Sequence, residues 1–172
     1  PIPSPTALPG LPEGLDMGAL PSLPDFGLEP FETDPRIALP FKGGETEGLA
    51  RLRHYLWESN AVATYKETRN GLIGSDYSSK FSPWLAAGCL SPKFIYHEIK
   101  RYERERVQNE STSWMFFELL WRDFFRLMGK KHGNRIFLKG GPQNKNLRQL
   151  KNNREAFKGW AEGRTGVPFV DA

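Results

Sequence analysis

The sequence has little of several things, and each shortage excludes something. Its only cysteine is Cys89. One thiol cannot build a disulfide framework within a chain and fits a reducing compartment, such as the cytoplasm of a bacterium or an organelle or nucleus of a eukaryote. No apolar run approaches the roughly 18 residues of a membrane span, so no membrane partner is expected. The three histidines, His54, His97 and His132, lie far apart, with no second ligand at metal spacing. No P-loop and no dinucleotide-type glycine fingerprint occurs. No segment alternates apolar and polar residues as a half-buried strand would.

What is present is unevenly distributed. Residues 1–45 hold ten of the fourteen prolines and no Trp or Tyr. They carry seven acidic side chains against two basic ones, a net of −5, whereas residues 46–172 carry 22 basic and 13 acidic, a net of +9. The overall +4 and the pI near 9.3 therefore conceal a strongly basic second part, which allows a nucleic acid partner without requiring one. Proline fixes φ and removes a donor, so residues 1–45 read as an extended linker. Residues 46–172 read as helices, and the fold class is all-α. The chain begins at Pro1 rather than Met and stops at Ala172 without a closing segment; it is expected to be cut at both ends, with residues 46–172 the N-terminal part of a truncated helical domain.

Helix boundaries are legible from turn chemistry. Leu49, Leu52, Tyr55 and Leu56 follow Gly43-Gly44 at helical spacing. Ser82-Pro83 and Ser91-Pro92 each place a hydroxyl before a proline, predicting two helix starts. The first helix is very short and closed by Gly88, and the second runs to about Gln108. Ser111, Thr112 and Ser113 are the expected caps of a long helix ending near 130–133. A last helix is expected over about 153–160, before the turn at 162–166. Cys89 is expected to be a small buried residue.

Three segments could carry chemistry. In the run Asp76 to Leu85, Ser78, Ser79, Lys80, Phe81 and Ser82 precede a helix start. Unpaired N–H groups, hydroxyls and an ammonium suit a phosphate, although an ordinary capped loop has the same composition. In the run Trp114 to Phe125, the residues are apolar nearly all round, which predicts a buried helix. Glu118, Arg122 and Asp123 lie within it, and buried charges need partners. Glu118 and Arg122, four apart, can pair along the helix; alternatively they face a polar ligand beside Trp121, such as a phosphate-bearing aromatic cofactor or a nucleobase. In the run Tyr65 to Asn70, Tyr65 could pack on a ring and Arg69 could meet a phosphate, or the segment is a solvated helix end.

Taken in order, Tyr65 to Asn70, Asp76-Tyr77-Ser78-Ser79-Lys80-Phe81-Ser82-Pro83-Trp84-Leu85-Ala86, Gly88-Cys89-Leu90-Ser91-Pro92, Phe117 to Phe124 and Gly163 to Ala172 resemble the FAD domain of the cryptochrome/photolyase family. Asp34-Pro35-Arg36, Phe41 to Thr46 and the Asp76–Ser82 wording are similar to the DASH branch. The likeness covers about residues 35–172. Lys93 departs from the arginine of many relatives and keeps the charge.

The resemblance implies the following. Tyr65 lies beside the FAD, and Ser78, Ser79, Lys80, Phe81 and Ser82 hold its phosphates. Glu118, on the helix lying against the flavin, contributes to the cofactor site, hydrogen-bonds damaged bases and supports their radical anion, Trp121 packs on the lesion, Arg122 helps hold the FAD, and Arg69 lies near the DNA path. It implies a blue-light-driven DNA photolyase: reduced FAD passes an electron to a cyclobutane pyrimidine dimer flipped from duplex or met in single-stranded DNA, with a preference for single strands. A folate antenna (methenyltetrahydrofolate), bound mostly outside this segment, and a monomer are also expected. The flavin-ring half of the site is absent from these residues, so the segment alone is expected neither to retain FAD nor to repair DNA. The rival readings are a blue-light photoreceptor that binds FAD and nucleic acid without repair, and a helical nucleic-acid-binding module.

Overall fold

The computed structural model describes residues 9–30, 32–145 and 153–171. Residues 1–8 and Phe31 of the expected linker, and Ala172 of the last motif, lie outside them. The chain divides into two compact units, Pro1–Phe41 and Lys42–Ala172.

The first unit has one short 3-10 turn, Pro24–Phe26, closed by Gly27 at φ 68°. Ser22 donates to the Asp25 carboxylate from both its amide and its hydroxyl, at 2.7 Å each. Those bonds hold the Asp25 carboxyl below its usual range, against a small effect of burial.

The second unit is helical, and no strand occurs among the described residues. Its elements are α1 (Glu45–Arg53), a π turn (His54–Glu58), a 3-10 turn (Ala61–Thr64), α2 (Tyr65–Thr68), α3 (Ser82–Ala86), α4 (Pro92–Glu105), α5 (Glu110–His132), a 3-10 turn (Gly133–Phe137), α6 (Arg154–Ala161) and α7 (Pro168–Asp171). No helix among the described residues is long and apolar enough to cross a membrane.

The core lies where α1, the π turn, α4 and the first turns of α5 meet. Ile95, Ile99 and Tyr102 fall at i, i+4 and i+7 on α4 and are fully buried, one apolar stripe on a helix otherwise charged. Tyr55, Leu56 and Val62 face them, also fully buried. Each large apolar side chain buried here contributes about 1.5–3 kcal/mol. Gly48 allows α1 to approach closely, because a Cβ there would lie 3.0 Å from Leu90 Cγ and 3.1 Å from Trp84 Cδ1.

Helix α5 is fixed at its start. Its N-cap is Asn109, whose side chain accepts from the Thr112 amide at 3.0 Å while Thr112 Oγ1 accepts from the Asn109 amide at 3.2 Å. This corrects the expected caps: Ser111, Thr112 and Ser113 all lie within the helix. Ser111 instead accepts from the Lys66 amide and donates to Glu67, tying α5 to α2. Asn109 Nδ2 donates to the Ala63 carbonyl at 2.8 Å.

Other boundaries also shift. Ser91 caps α4 as expected, accepting from Phe94. Ser82 caps nothing; Phe81 is the N-cap position of α3, without a side-chain bond. Helix α4 ends at Glu105 rather than near Gln108. Cys89 is half-buried rather than buried.

The largest correction concerns α5 beyond its second turn. Its first turns are buried through Ser111, Thr112, Met115 and Leu119. Phe117, Leu120, Trp121, Phe124 and Phe125 are exposed, Trp121 by 42% and Phe125 by 64%. The four rings among them contact one another, with Trp121 edge-on to Phe117 and Phe124 and stacked on Phe125 at centroid distances of 5.5–5.7 Å. An all-round apolar pattern predicts burial only where neighbours surround a helix, and among the described residues they surround only its first turns.

Candidate functional site

The three segments of interest converge on one wall of the second unit. The α5 anchor to α2 places the inner face of α5 against Tyr65, which is 8% exposed. The expectation of a solvated helix end fails at this residue. Burial pushes the Tyr65 phenol up, and the nearby Glu118 carboxylate adds to that, against Arg69.

Tyr65, Ser79, Phe81, Ser82, Glu118 and Arg122 line one cavity of about 350 Å³, together with Leu85, Ala86, Met115 and Leu119. That volume lies within the range of about 300–1,000 Å³ usual for small-molecule sites. The lining is mostly apolar, with Ser79, Ser82, Glu118 and Arg122 as its polar members besides Tyr65.

Four of the sequence-predicted residues lie elsewhere. Trp121 lines a separate, exposed hollow of about 310 Å³ with Phe117, Leu120 and Phe124. Glu118 lines the first of these two hollows and Trp121 the second. Lys80, at φ 58°, turns its ammonium over the Tyr77 ring, 3.8 Å from its centroid, and onto the Tyr77 hydroxyl. Ser78 is not among the lining residues of the larger cavity, and its carbonyl accepts from Arg51. Arg69 bonds Glu118 and stacks over Trp114 at 5.1 Å.

The charges on α5 do not pair as i, i+4 spacing allows. Arg122 lies 3.6 Å from Asp123. Glu118 Oε1 accepts from Arg69 and from Trp114 Nε1, the latter at 3.1 Å.

Behind the Ser-rich loop sits a group that motif reading passed over. Arg51 is 7% exposed. Its guanidinium donates to Asp76 Oδ1 at 2.7 Å, the Ser75 carbonyl at 2.9 Å, the Ser79 carbonyl at 3.0 Å and the Ser78 carbonyl at 3.2 Å. His54 Nε2 lies 3.0 Å from Asp76 Oδ2. Burial pushes the Asp76 carboxyl up, but the bonds to His54 and Arg51 outweigh it and hold the carboxyl below its usual range. A signal was available: Arg51 and Tyr55 are four apart on the face that carries Tyr55 into the core.

The fit to a phosphate-bearing ligand rests on this loop. Helix α3 is a single turn of five residues, too short for a sizeable macrodipole. The amides of Ser79 and Lys80 and the hydroxyls of Ser78, Ser79 and Ser82 make no hydrogen bond within the described residues. Free donors of this kind, beside Arg122 and an apolar cavity, suit a diphosphate joined to an aromatic group.

Comparison with known proteins gives consistent matches. Residues 114–172 match the family model described as the FAD binding domain of DNA photolyase. The chain is 56% identical over 168 residues to Cryptochrome DASH of Xenopus laevis, covering 98% of this chain and 32% of that protein. Against Cryptochrome DASH of Gloeobacter violaceus it is 51% identical over 172 residues, covering 100% and 34%. The crystal structure of the Synechocystis sp. PCC6803 cryptochrome superposes with a TM-score of 0.82 at 55% identity, covering 91% of this chain and 32% of that one. The chain thus spans about a third of the length of the curated relatives it matches. Over the residues it spans, the chain is similar to the cryptochrome–photolyase family. Within that family it is similar to the cryptochrome DASH branch.

Proposed function

We propose that the polypeptide carrying this segment is a light-driven DNA photolyase that splits cyclobutane pyrimidine dimers, preferentially in single-stranded DNA. Residues 1–45 serve as an extended inter-domain linker, and residues 46–172 as the N-terminal part of the helical FAD domain. One observation carries the reading: Tyr65, the Ser79–Ser82 hydroxyls, Glu118 and Arg122, brought from three separated stretches, line a single cavity. FAD, reduced and bound there, would supply blue-light absorption and a one-electron donor.

This chain's residues bind and orient. Ser78, Ser79, Lys80, Phe81 and Ser82 form the stretch that takes the FAD phosphates, Tyr65 packs beside the cofactor, and Arg122 adds a fixed cation. Glu118 has one oxygen engaged and Oε2 without a partner among the described residues, which leaves an acceptor for a base edge. Trp121 offers an exposed indole on which an unstacked base can lie. Arg69 and the excess of basic side chains in residues 46–172 favour the strand's phosphates. A folate antenna bound mainly outside this segment, a monomeric state and a reducing compartment complete the proposal.

A second reading is favoured by the Arg69 bond that already engages the Glu118 carboxylate. On that reading the polypeptide binds FAD and nucleic acid as a blue-light receptor and repairs nothing. Illumination of the full-length, flavin-loaded polypeptide with dimer-containing single-stranded DNA separates the two. Light-dependent loss of dimers is expected for the photolyase. Flavin absorbance without any loss of dimers points to the receptor, and absence of a flavin band overturns both.

A further inference from the structure

We propose that Arg51 is a positioning residue for cofactor binding: it holds the Ser75–Ser79 loop with its carbonyls turned inward, so that the Ser79 and Lys80 amides are presented to a diphosphate. The inference rests on the FAD reading above and extends it to a residue outside the cavity.

A cation this deeply buried is retained only when its donors are well matched. Every hydrogen-bond acceptor of Arg51 comes from one stretch, Ser75, Asp76, Ser78 and Ser79. The planar guanidinium carries five N–H donors in a fixed fork, so it fixes the orientation of several peptide groups together. No peptide bond among the described residues is cis. In a trans peptide the carbonyl of one residue and the amide N–H of the next point in opposite directions. With the Ser78 and Ser79 carbonyls directed at Arg51, the Ser79 and Lys80 N–H groups are directed away from it. Neither makes a hydrogen bond among the described residues, and Ser79 lines the cavity.

The loop also contains a backbone cost that needs support. Lys80 sits at φ 58°, a left-handed conformation that is unfavourable for a non-glycine residue. Pinning the preceding carbonyls and Asp76 to one buried cation supplies a rigid approach to that residue. His54, bonded to the second Asp76 oxygen, fixes the carboxylate from the other side. Arg51 itself lines no part of the cavity, so its action on a ligand is through the loop.

The test uses the full-length polypeptide freed of flavin and titrated with FAD or with riboflavin, which has the ring system but no phosphate. For Arg51→Met, FAD affinity is expected to fall about tenfold or more while riboflavin affinity stays within about twofold, because only the phosphate-facing amides lose their alignment. Equal losses for both ligands, or no loss of FAD affinity, would overturn the inference. Hydrogen exchange on the unmodified protein gives a result that does not depend on how the variant folds. FAD, but not riboflavin, is expected to slow exchange at the Ser79 and Lys80 amides; FAD binding without that protection also overturns it. If the unmodified protein binds neither flavin, the FAD reading itself fails, an outcome distinct from the loss of phosphate discrimination in the variant.

Discussion

Arg69 donates to Glu118 Oε1 across 49 residues of sequence, and Trp114, one turn before Glu118, donates to the same oxygen at 3.1 Å. The carboxylate is thus held by a guanidinium from beside α2 and an indole from its own helix, with Arg122 engaged elsewhere. Both members of the ion pair are about a third exposed, so water screens the attraction. A double-mutant cycle on Arg69→Ala and Glu118→Gln, read by urea unfolding, is expected to give a coupling energy of about 1 kcal/mol. A coupling indistinguishable from zero would show that the contact does not order the site.

Tyr55 is completely buried, and its hydroxyl has no hydrogen-bond partner among the described residues. Burial pushes its ionisation well above the usual phenol range, and the negative forms of Tyr65 and Asp76 act in the same direction against Arg51. An unsatisfied buried hydroxyl costs about 1–3 kcal/mol. Tyr55→Phe removes that cost and keeps the ring, which stands edge-on to Phe81 at 5.7 Å. A gain of about 1 kcal/mol in unfolding free energy is expected; a loss of that size would place a hidden partner on the hydroxyl.

Gly48 admits the Trp84 and Leu90 side chains to α1 at contacts a Cβ would make at 3.0–3.1 Å. Gly48→Val forces these groups apart and is expected to lower stability by about 1–3 kcal/mol. Thermal unfolding measures it directly. An unchanged midpoint would mean that α1 shifts freely, contrary to the close packing of Leu52, Trp84 and Leu90.

Asp76 sets a pH dependence whose sign follows from its depressed carboxyl. A lowered folded-state pKa contributes stability above the unfolded carboxyl's value of about 3.9, and that contribution is lost as pH falls through the folded value. The carboxylate is partly exposed, so the effect is modest. The stability difference between the wild-type chain and Asp76→Asn is expected to be constant at neutral pH and to shrink below about pH 4. A difference that instead grows on acidification contradicts the assignment.

The 172-residue chain on its own is expected to retain little FAD, because tight sites enclose about 70–90% of a ligand's surface and the α5 face beyond Leu119 is open. Purification of the isolated chain with stoichiometric yellow flavin would refute this.

How much of this was legible beforehand depended on whether the signal was local. Ser91-Pro92 marks α4 because capping and the proline preference act within a few residues, and the stripe of Ile95, Ile99 and Tyr102 follows from one helix's periodicity. The all-α class was read on the same grounds. Asn109 was missed as the cap because three hydroxyl residues beside it offered the same chemistry, and only the backbone path distinguishes them. Glu118 was correctly read as needing a partner. That the partner is Arg69 is a tertiary fact, which helical spacing does not encode. Arg51 was overlooked because, beside Glu45, Glu47 and Arg53 on α1, it reads as one more surface charge, and its spacing from Tyr55 hints at burial without revealing its partners. The burial forecast for α5 failed for the opposite reason: apolar periodicity records which face is to be covered, whereas coverage depends on what else is packed there.

The aromatic row from Phe117 to Phe125 has a practical consequence for how such a chain behaves at the ribosome and in the test tube. Five contiguous bulky apolar side chains facing water form the kind of patch that associates with any similar surface. A polypeptide that has emerged only as far as the end of α5 would display this sticky ridge, vulnerable to self-association and attractive to holding chaperones until other segments cover it.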